Sequence, residues 1–124
     1  MEFAQMWARR SVCSRLHVGA VITTEDLRQV VAIGYNGLAK GLPHDRCTGE
    51  LGRCGCIHAE INAIAQADSR IPRKVLFVTT APCVMCAQLI VQNGIARVVY
   101  RSQYRDGGGL DLLRDLGIEV EKFE

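Results

Sequence analysis

Apolar and polar positions fall into short blocks with two distinct periods. Residues 18–24 (VGAVITT) and 29–34 (QVVAIG) are β-branched runs joined by the charged turn Glu25-Asp26-Leu27-Arg28, a pattern that predicts a hairpin. Residues 75–79 (VLFVT) and 96–100 (ARVVY) predict two buried strands, and 118–122 a last one. Helical spacing appears in 2–12 through Phe3, Met6 and Trp7, and again after His58 through Ala59, Ile61, Ala63, Ile64, Ala65 and Ala67. Residues 83–93 form a further helix, with Pro82 near its first turn and Gly94 as its stop. Residues 110–116 form a short one. The order αββαβαβαβ, with helical crossovers between the late strands, predicts one α/β domain over 1–124. Its expected architecture is a three-layer αβα fold, a five-stranded mixed sheet with helices on both faces.

Two stretches break this regularity. Residues 75–96 carry no charge and approach the ~20 residues of a membrane span. Thr79, Thr80, Pro82, Gln88, Gln92, Asn93 and Gly94 interrupt them, however, and the pattern changes from strand to helix at the proline. No membrane partner is expected. Residues 35–57 have no periodicity and are rich in Gly, Asp and Cys; loops of that length are functional or stapled.

Charge removes one class of function and the cysteines suggest another. Fifteen Lys and Arg against 13 Asp and Glu leave a net +2, without a block of like sign, which argues against a stable nucleic-acid partner. A 48% hydrophobic share with only three prolines is that of a folding chain. Six cysteines, Cys13, Cys47, Cys54, Cys56, Cys83 and Cys86, admit disulfides or metal. Residues 1–10 mix Glu2, Gln5, Arg9 and Arg10 with apolar residues and lack the apolar core of a signal peptide. The expectation is therefore a reducing, cytoplasmic setting and metal.

The chemistry gathers in His58-Ala59-Glu60 and Pro82-Cys83-Val84-Met85-Cys86. Two thiolates at Cys-x-x-Cys spacing plus a histidine suit one Zn²⁺ and leave its fourth position open for water, the catalytic arrangement. Both segments open predicted helices, where peptide dipoles favour anions. Glu60 is the residue to work on that water without binding the metal: zinc lowers the pKa of bound water toward ~7, and a carboxylate can pass its proton to a ring nitrogen and leaving amine. Either segment alone has an ordinary reading, as a redox dithiol or half of a zinc knuckle, or as a capped helix start. Together, His-x-Glu followed by Pro-Cys-x-x-Cys is the signature of zinc nucleobase deaminases.

The sequence resembles the cytidine deaminase superfamily, and within it the deoxycytidylate (dCMP) deaminases. The segments that carry the likeness are Val18-Gly19-Ala20-Val21-Ile22, Gly34-Tyr35-Asn36-Gly37, Gly41-Leu42-Pro43-His44, His58-Ala59-Glu60-Ile61-Asn62-Ala63-Ile64, Pro82-Cys83-Val84-Met85-Cys86-Ala87, Gly94-Ile95, Tyr104 and Gly117-Ile118. The resemblance implies hydrolysis of dCMP to dUMP and ammonia for thymidylate synthesis. It also implies dCTP and dTTP as effectors, Mg²⁺ accompanying a nucleotide effector, and a homo-oligomer, hexamer or dimer. It implies that His58, Cys83 and Cys86 hold zinc, that Glu60 shuttles protons, and that Asn36 hydrogen-bonds the substrate. Ala81 would offer backbone groups to the pyrimidine edge, and Tyr104 would close the pocket. Ala39 stands where the family usually has proline, which bears on effector response more than on catalysis. Asn36-Gly37 is also a plain turn signal.

Cys13, Cys47, Cys54 and Cys56 remain, and four thiols in a reducing setting invite a second, structural zinc, as some dCMP deaminases carry. His17 or His44 could replace one of them as ligand, and some of the four are equally read as ordinary buried side chains. Arg15, Lys40, Arg101 and Arg105 are candidates for a substrate phosphate. Gly107-Gly108-Gly109 reads as a flexible loop. The alternatives to dCMP are another amino-base substrate, such as cytidine, guanine or a modified deoxycytidylate, or a non-catalytic zinc module that binds nucleotides.

Overall fold

In a computed structural model, residues 1–43, 46–50, 54–103 and 107–124 are described. The elements run α1 (Glu2–Ala8), β1 (Gly19–Thr23), β2 (Val30–Tyr35), α2 (Ala59–Ile64), β3 (Lys74–Thr80), α3 (Val84–Gln92), β4 (Ile95–Ser102), α4 (Gly108–Asp115) and β5 (Glu119–Lys122). The expected order therefore holds. The strands form one sheet in the order β2-β1-β3-β4-β5. β1 is antiparallel to both neighbours, while β3, β4 and β5 are parallel. This is the expected mixed sheet.

Glycine register shows how the helices divide between the faces. Gly19 pairs with Tyr35 and Ala20 with Gly34, so Gly19 and Gly34 face opposite sides. A methyl group on Gly19 would strike the Ala4 carbonyl of α1, and one on Gly34 the Ala59 carbonyl of α2. α1 therefore lies on one face, where Trp7 stacks on Tyr35 with ring centroids 6.2 Å apart. α2, α3 and α4 cover the other face. There Ala59, Ala63, Ala87, Ile90, Leu110 and Leu113 meet Ala20, Ile22, Leu76, Val78 and Val98 in the main core.

Three details depart from the periodicity reading. α1 stops at Ala8 rather than running to Val12, and α2 stops at Ile64, short of Ala67. Beyond Ile64 the chain tightens into turn bonds, Gln66 N–H to Ala63 and Ala67 N–H to Ile64. The fully buried Lys74 then gathers this connection, donating from Nζ to the carbonyls of Asp68 at 3.0 Å and Ile71 at 2.9 Å. Gly108 and Gly109 are not a loop: they form the first turn of α4. An added Cβ on Gly109 would lie 2.0 Å from the Pro82 carbonyl, so the glycine run serves close packing against the start of α3.

The uncharged stretch folds as β3, a turn and α3, and no described helix is long and apolar enough to cross a membrane. The long loop after β2 is pinched at its base, where Gly37 and Ile57 exchange both backbone hydrogen bonds at 3.1 and 2.8 Å. That bridge brings the chain back to the sheet immediately before His58.

Candidate active site

The site lies where β3 ends and β1 begins, the rim of the sheet at which open α/β folds bind ligands. His58 is the N-cap of α2 and Cys83 the N-cap of α3, both with extended backbone. Neither side chain caps its own helix, and the two face each other. Cys86, one turn into α3, is fully buried on the same side. Packing of Gly34 against Ala59 and Ala63 holds α2 close to the sheet, and packing of Gly109 against Pro82 and Cys83 does the same for the start of α3.

His58 Nδ1 lies 3.2 Å from Cys86 Sγ and 3.6 Å from Cys83 Sγ. All three donor atoms fall within 4.8 Å of one another. Ligands at zinc–nitrogen and zinc–sulfur distances of ~2.1 and ~2.3 Å around a tetrahedral ion stand about 3.6 Å apart, so the donor set fits zinc. Hydrogen bonds from Cys86 and from His58 hold the Cys83 thiol down to about 3, while the Cys86 thiol, beside that anion and buried, is pushed up.

Glu60 is 4% exposed. Burial pushes its carboxyl up to about 7, against the lowering effects of its backbone hydrogen bond and of His58. A carboxyl held there can take and return a proton near neutral pH.

The cleft around these groups has a volume of about 370 Å³ and opens to solvent. His58, Glu60 and Cys83 line it together with Asn36 and Ala81, so five of the residues named from sequence converge. Tyr104, His44 and Arg105 lie outside the described residues. Asn36 also ties the wall together: its Oδ1 accepts from Val18 N–H at 2.8 Å and its Nδ2 donates to the Leu16 carbonyl at 2.6 Å. The Ala81 N–H is already spent on the Ser102 carbonyl at 2.7 Å, which leaves its own carbonyl to face a ligand. Of the phosphate candidates among the described residues, Arg15 lines the cleft; Lys40 and Arg101 are exposed elsewhere. Sequence reasoning did not single out Thr80, a lining residue whose signal is its place at the carboxyl end of β3.

The other four cysteines also converge. Sγ separations are 3.7 Å for Cys13–Cys47, 3.5 Å for Cys47–Cys56 and 4.0 Å for Cys13–Cys54. These are too long for a disulfide at ~2.05 Å and close to the ~3.8 Å edge of a tetrahedral zinc–thiolate site. His17 is exposed and outside this cluster.

The sequence model of the cytidine and deoxycytidylate deaminase zinc-binding region matches residues 1–102. The deoxycytidylate deaminase of Saccharomyces cerevisiae is 38% identical over 99% of this chain, which spans 43% of that protein's length. Human deoxycytidylate deaminase is 34% identical over 99% of this chain and 76% of its own. The crystal structure of dCMP deaminase from cyanophage S-TIM5 in complex with dCMP and dUMP superposes with a TM-score of 0.84 at 35% identity, covering 98% of this chain and 92% of that one. The same two motifs that build the cleft thus lie inside the matched region, and the chain belongs to the zinc-binding cytidine and deoxycytidylate deaminase family.

Proposed function

We propose that the chain hydrolyses dCMP to dUMP and ammonia, with His58, Cys83 and Cys86 as zinc ligands and Glu60 as the proton-transfer residue. The observation that carries this reading is Glu60, buried and pushed up to about 7 beside a donor set of zinc dimensions. Zinc held there would supply an activated water and polarise the reacting carbon. Glu60 takes the proton of the attacking water and passes it to N3 of the cytosine ring; it then takes the remaining proton from the hydroxyl left on C4 and delivers it to the amine, so that the C4–N bond breaks, ammonia departs and C4 becomes the carbonyl of dUMP. In this reading Ala81 and Asn36, which line the cleft, orient the base and sugar. The solved relative in complex with dCMP and dUMP supports the choice of nucleotide.

In this reading Arg15, which lines the cleft, meets the 5′-phosphate. Ammonia release should then favour dCMP over deoxycytidine by at least about tenfold in kcat/KM, the value of one charge-assisted hydrogen bond used for positioning. Equal turnover of the two would overturn the nucleotide reading.

Cys13, Cys47, Cys54 and Cys56 form a closed, structural zinc site in this reading. Metal analysis of the purified protein should find two zinc ions per chain, and Cys47→Ser should retain one and melt at a lower temperature. A single zinc in the unaltered protein would remove the second site. Six free thiols favour a reducing, cytoplasmic setting. Self-association draws support from Val84 and Met85, apolar and exposed beside the cleft.

A further inference from the structure

The two cysteine-containing sites share a wall. Cys13 belongs to the four-thiol cluster and stands two residues before Arg15, which lines the substrate cleft. The Arg15 side chain also lies beside Cys54, the second buried member of that cluster. The segment between the sites is anchored at its other side by Asn36. The Asn36 carbonyl accepts from Ser11 Oγ at 2.8 Å, Ser11 Oγ accepts from Cys13 N–H at 3.2 Å, and the Asn36 amide holds both Leu16 and Val18. Residues 13–18 thus run as a short strut between sulfurs and cleft, with one guanidinium reaching both.

We infer that the four-cysteine site is coupled to substrate binding through Arg15, a positioning residue: zinc in that site tightens dCMP binding, and dCMP slows the loss of that zinc. The inference rests on the dCMP and second-zinc readings above. Arginine has many rotamers, and a guanidinium already fixed loses less freedom when a ligand arrives. Zinc fixes the Cys13 and Cys54 sulfurs in one tetrahedral frame, and a four-thiolate zinc of charge about −2 holds the guanidinium beside it. Five donors allow Arg15 to keep Cys54 and still offer N–H groups to a phosphate. Linkage makes the effect reciprocal: whatever factor zinc adds to dCMP affinity, dCMP adds to zinc affinity.

The test measures zinc transfer to a chromogenic chelator from the two-zinc protein carrying Glu60→Ala, so that dCMP stays bound without turnover. Cys47→Ser in the same background identifies which release phase belongs to the four-cysteine site. Saturating dCMP should slow that phase about tenfold, deoxycytidine should not, and Arg15→Ala should abolish the slowing. In the otherwise unaltered enzyme, selective removal of that zinc should raise the KM for dCMP about tenfold and change kcat less than twofold. The coupling is overturned if dCMP slows release from the catalytic site but not from the four-cysteine site, if deoxycytidine protects equally, or if KM is insensitive to that zinc. Protection of neither site, together with no turnover of dCMP, overturns the substrate reading itself and the coupling with it.

Discussion

Glu60→Ala should lower kcat for dCMP by at least about a thousandfold, within the range general acid–base catalysis supplies, while the zinc held by His58, Cys83 and Cys86 stays bound. The residue is 4% exposed and close enough to Cys86 for a hydrogen bond, yet it is not one of the three converging donors. Its removal therefore leaves the ligand set intact and takes away only proton transfer. Metal analysis beside dUMP formation separates the two. Retained turnover would exclude Glu60 as the proton carrier, and retained zinc with no turnover would exclude a purely structural zinc module. The unaltered enzyme adds a second reading of the same group. Burial places the carboxyl near 7 and a neighbouring cation lowers it, so kcat/KM should decline as pH falls through the range below that value, where the base form is lost.

Gly109→Ala should be strongly damaging although the residue touches none of the reacting atoms. The methyl group would stand 2.0 Å from the Pro82 carbonyl and 2.9 Å from the Cys83 carbonyl, backbone atoms that no side-chain rotation can move aside. Overpacking of this kind costs about 2–3 kcal/mol, which in a chain of this size lowers the melting midpoint by about 5–10 °C. Because the atoms displaced are those that aim Cys83 at His58, catalytic zinc should be lost at lower chelator concentration as well. Gly107→Ala is the matched control: its methyl would meet the end of the flexible Gln103 side chain at 3.3 Å and should cost little. Equal melting and zinc retention in both variants would show that the start of α3 tolerates displacement.

What could be read from the sequence follows from what is local in the chain. β-branched runs and helical spacing locate the strands and helices because each element's pattern lies within its own residues. His58, Glu60, Cys83 and Cys86 were legible as a group because helix starts fix their mutual spacing within each motif. Features decided by contacts distant in sequence were not. Nothing in 1–12 says that α1 lies alone on one face; the opposed orientation of Gly19 and Gly34 decides it. The chain beyond α2 leaves the helix for turns, and the connection is held by Lys74, ten residues beyond Ile64, whose ammonium donates to the Asp68 and Ile71 carbonyls. Arg15, Lys40 and Arg101 were equivalent candidates for a phosphate in the sequence, and among the described residues only the fold distinguishes Arg15, which lines the cleft. Three consecutive glycines suggested mobility because flexibility and close approach use the same residue, and only the neighbouring Pro82 distinguishes them.

The pinched loop has a consequence for how such chains can diverge. With Gly37 and Ile57 locked together, the segment between them is a side lobe whose ends are fixed whatever its length. Closing a longer lobe costs only about 0.6 kcal/mol per doubling, and none of that reaches His58, which lies beyond the lock. Within the lobe, Cys47, Cys54 and Cys56 constrain the returning half. The described outgoing residues, 38–43, are therefore a part of the molecule where length can change without moving the chemistry, and where it is free to serve as a record of descent rather than of function.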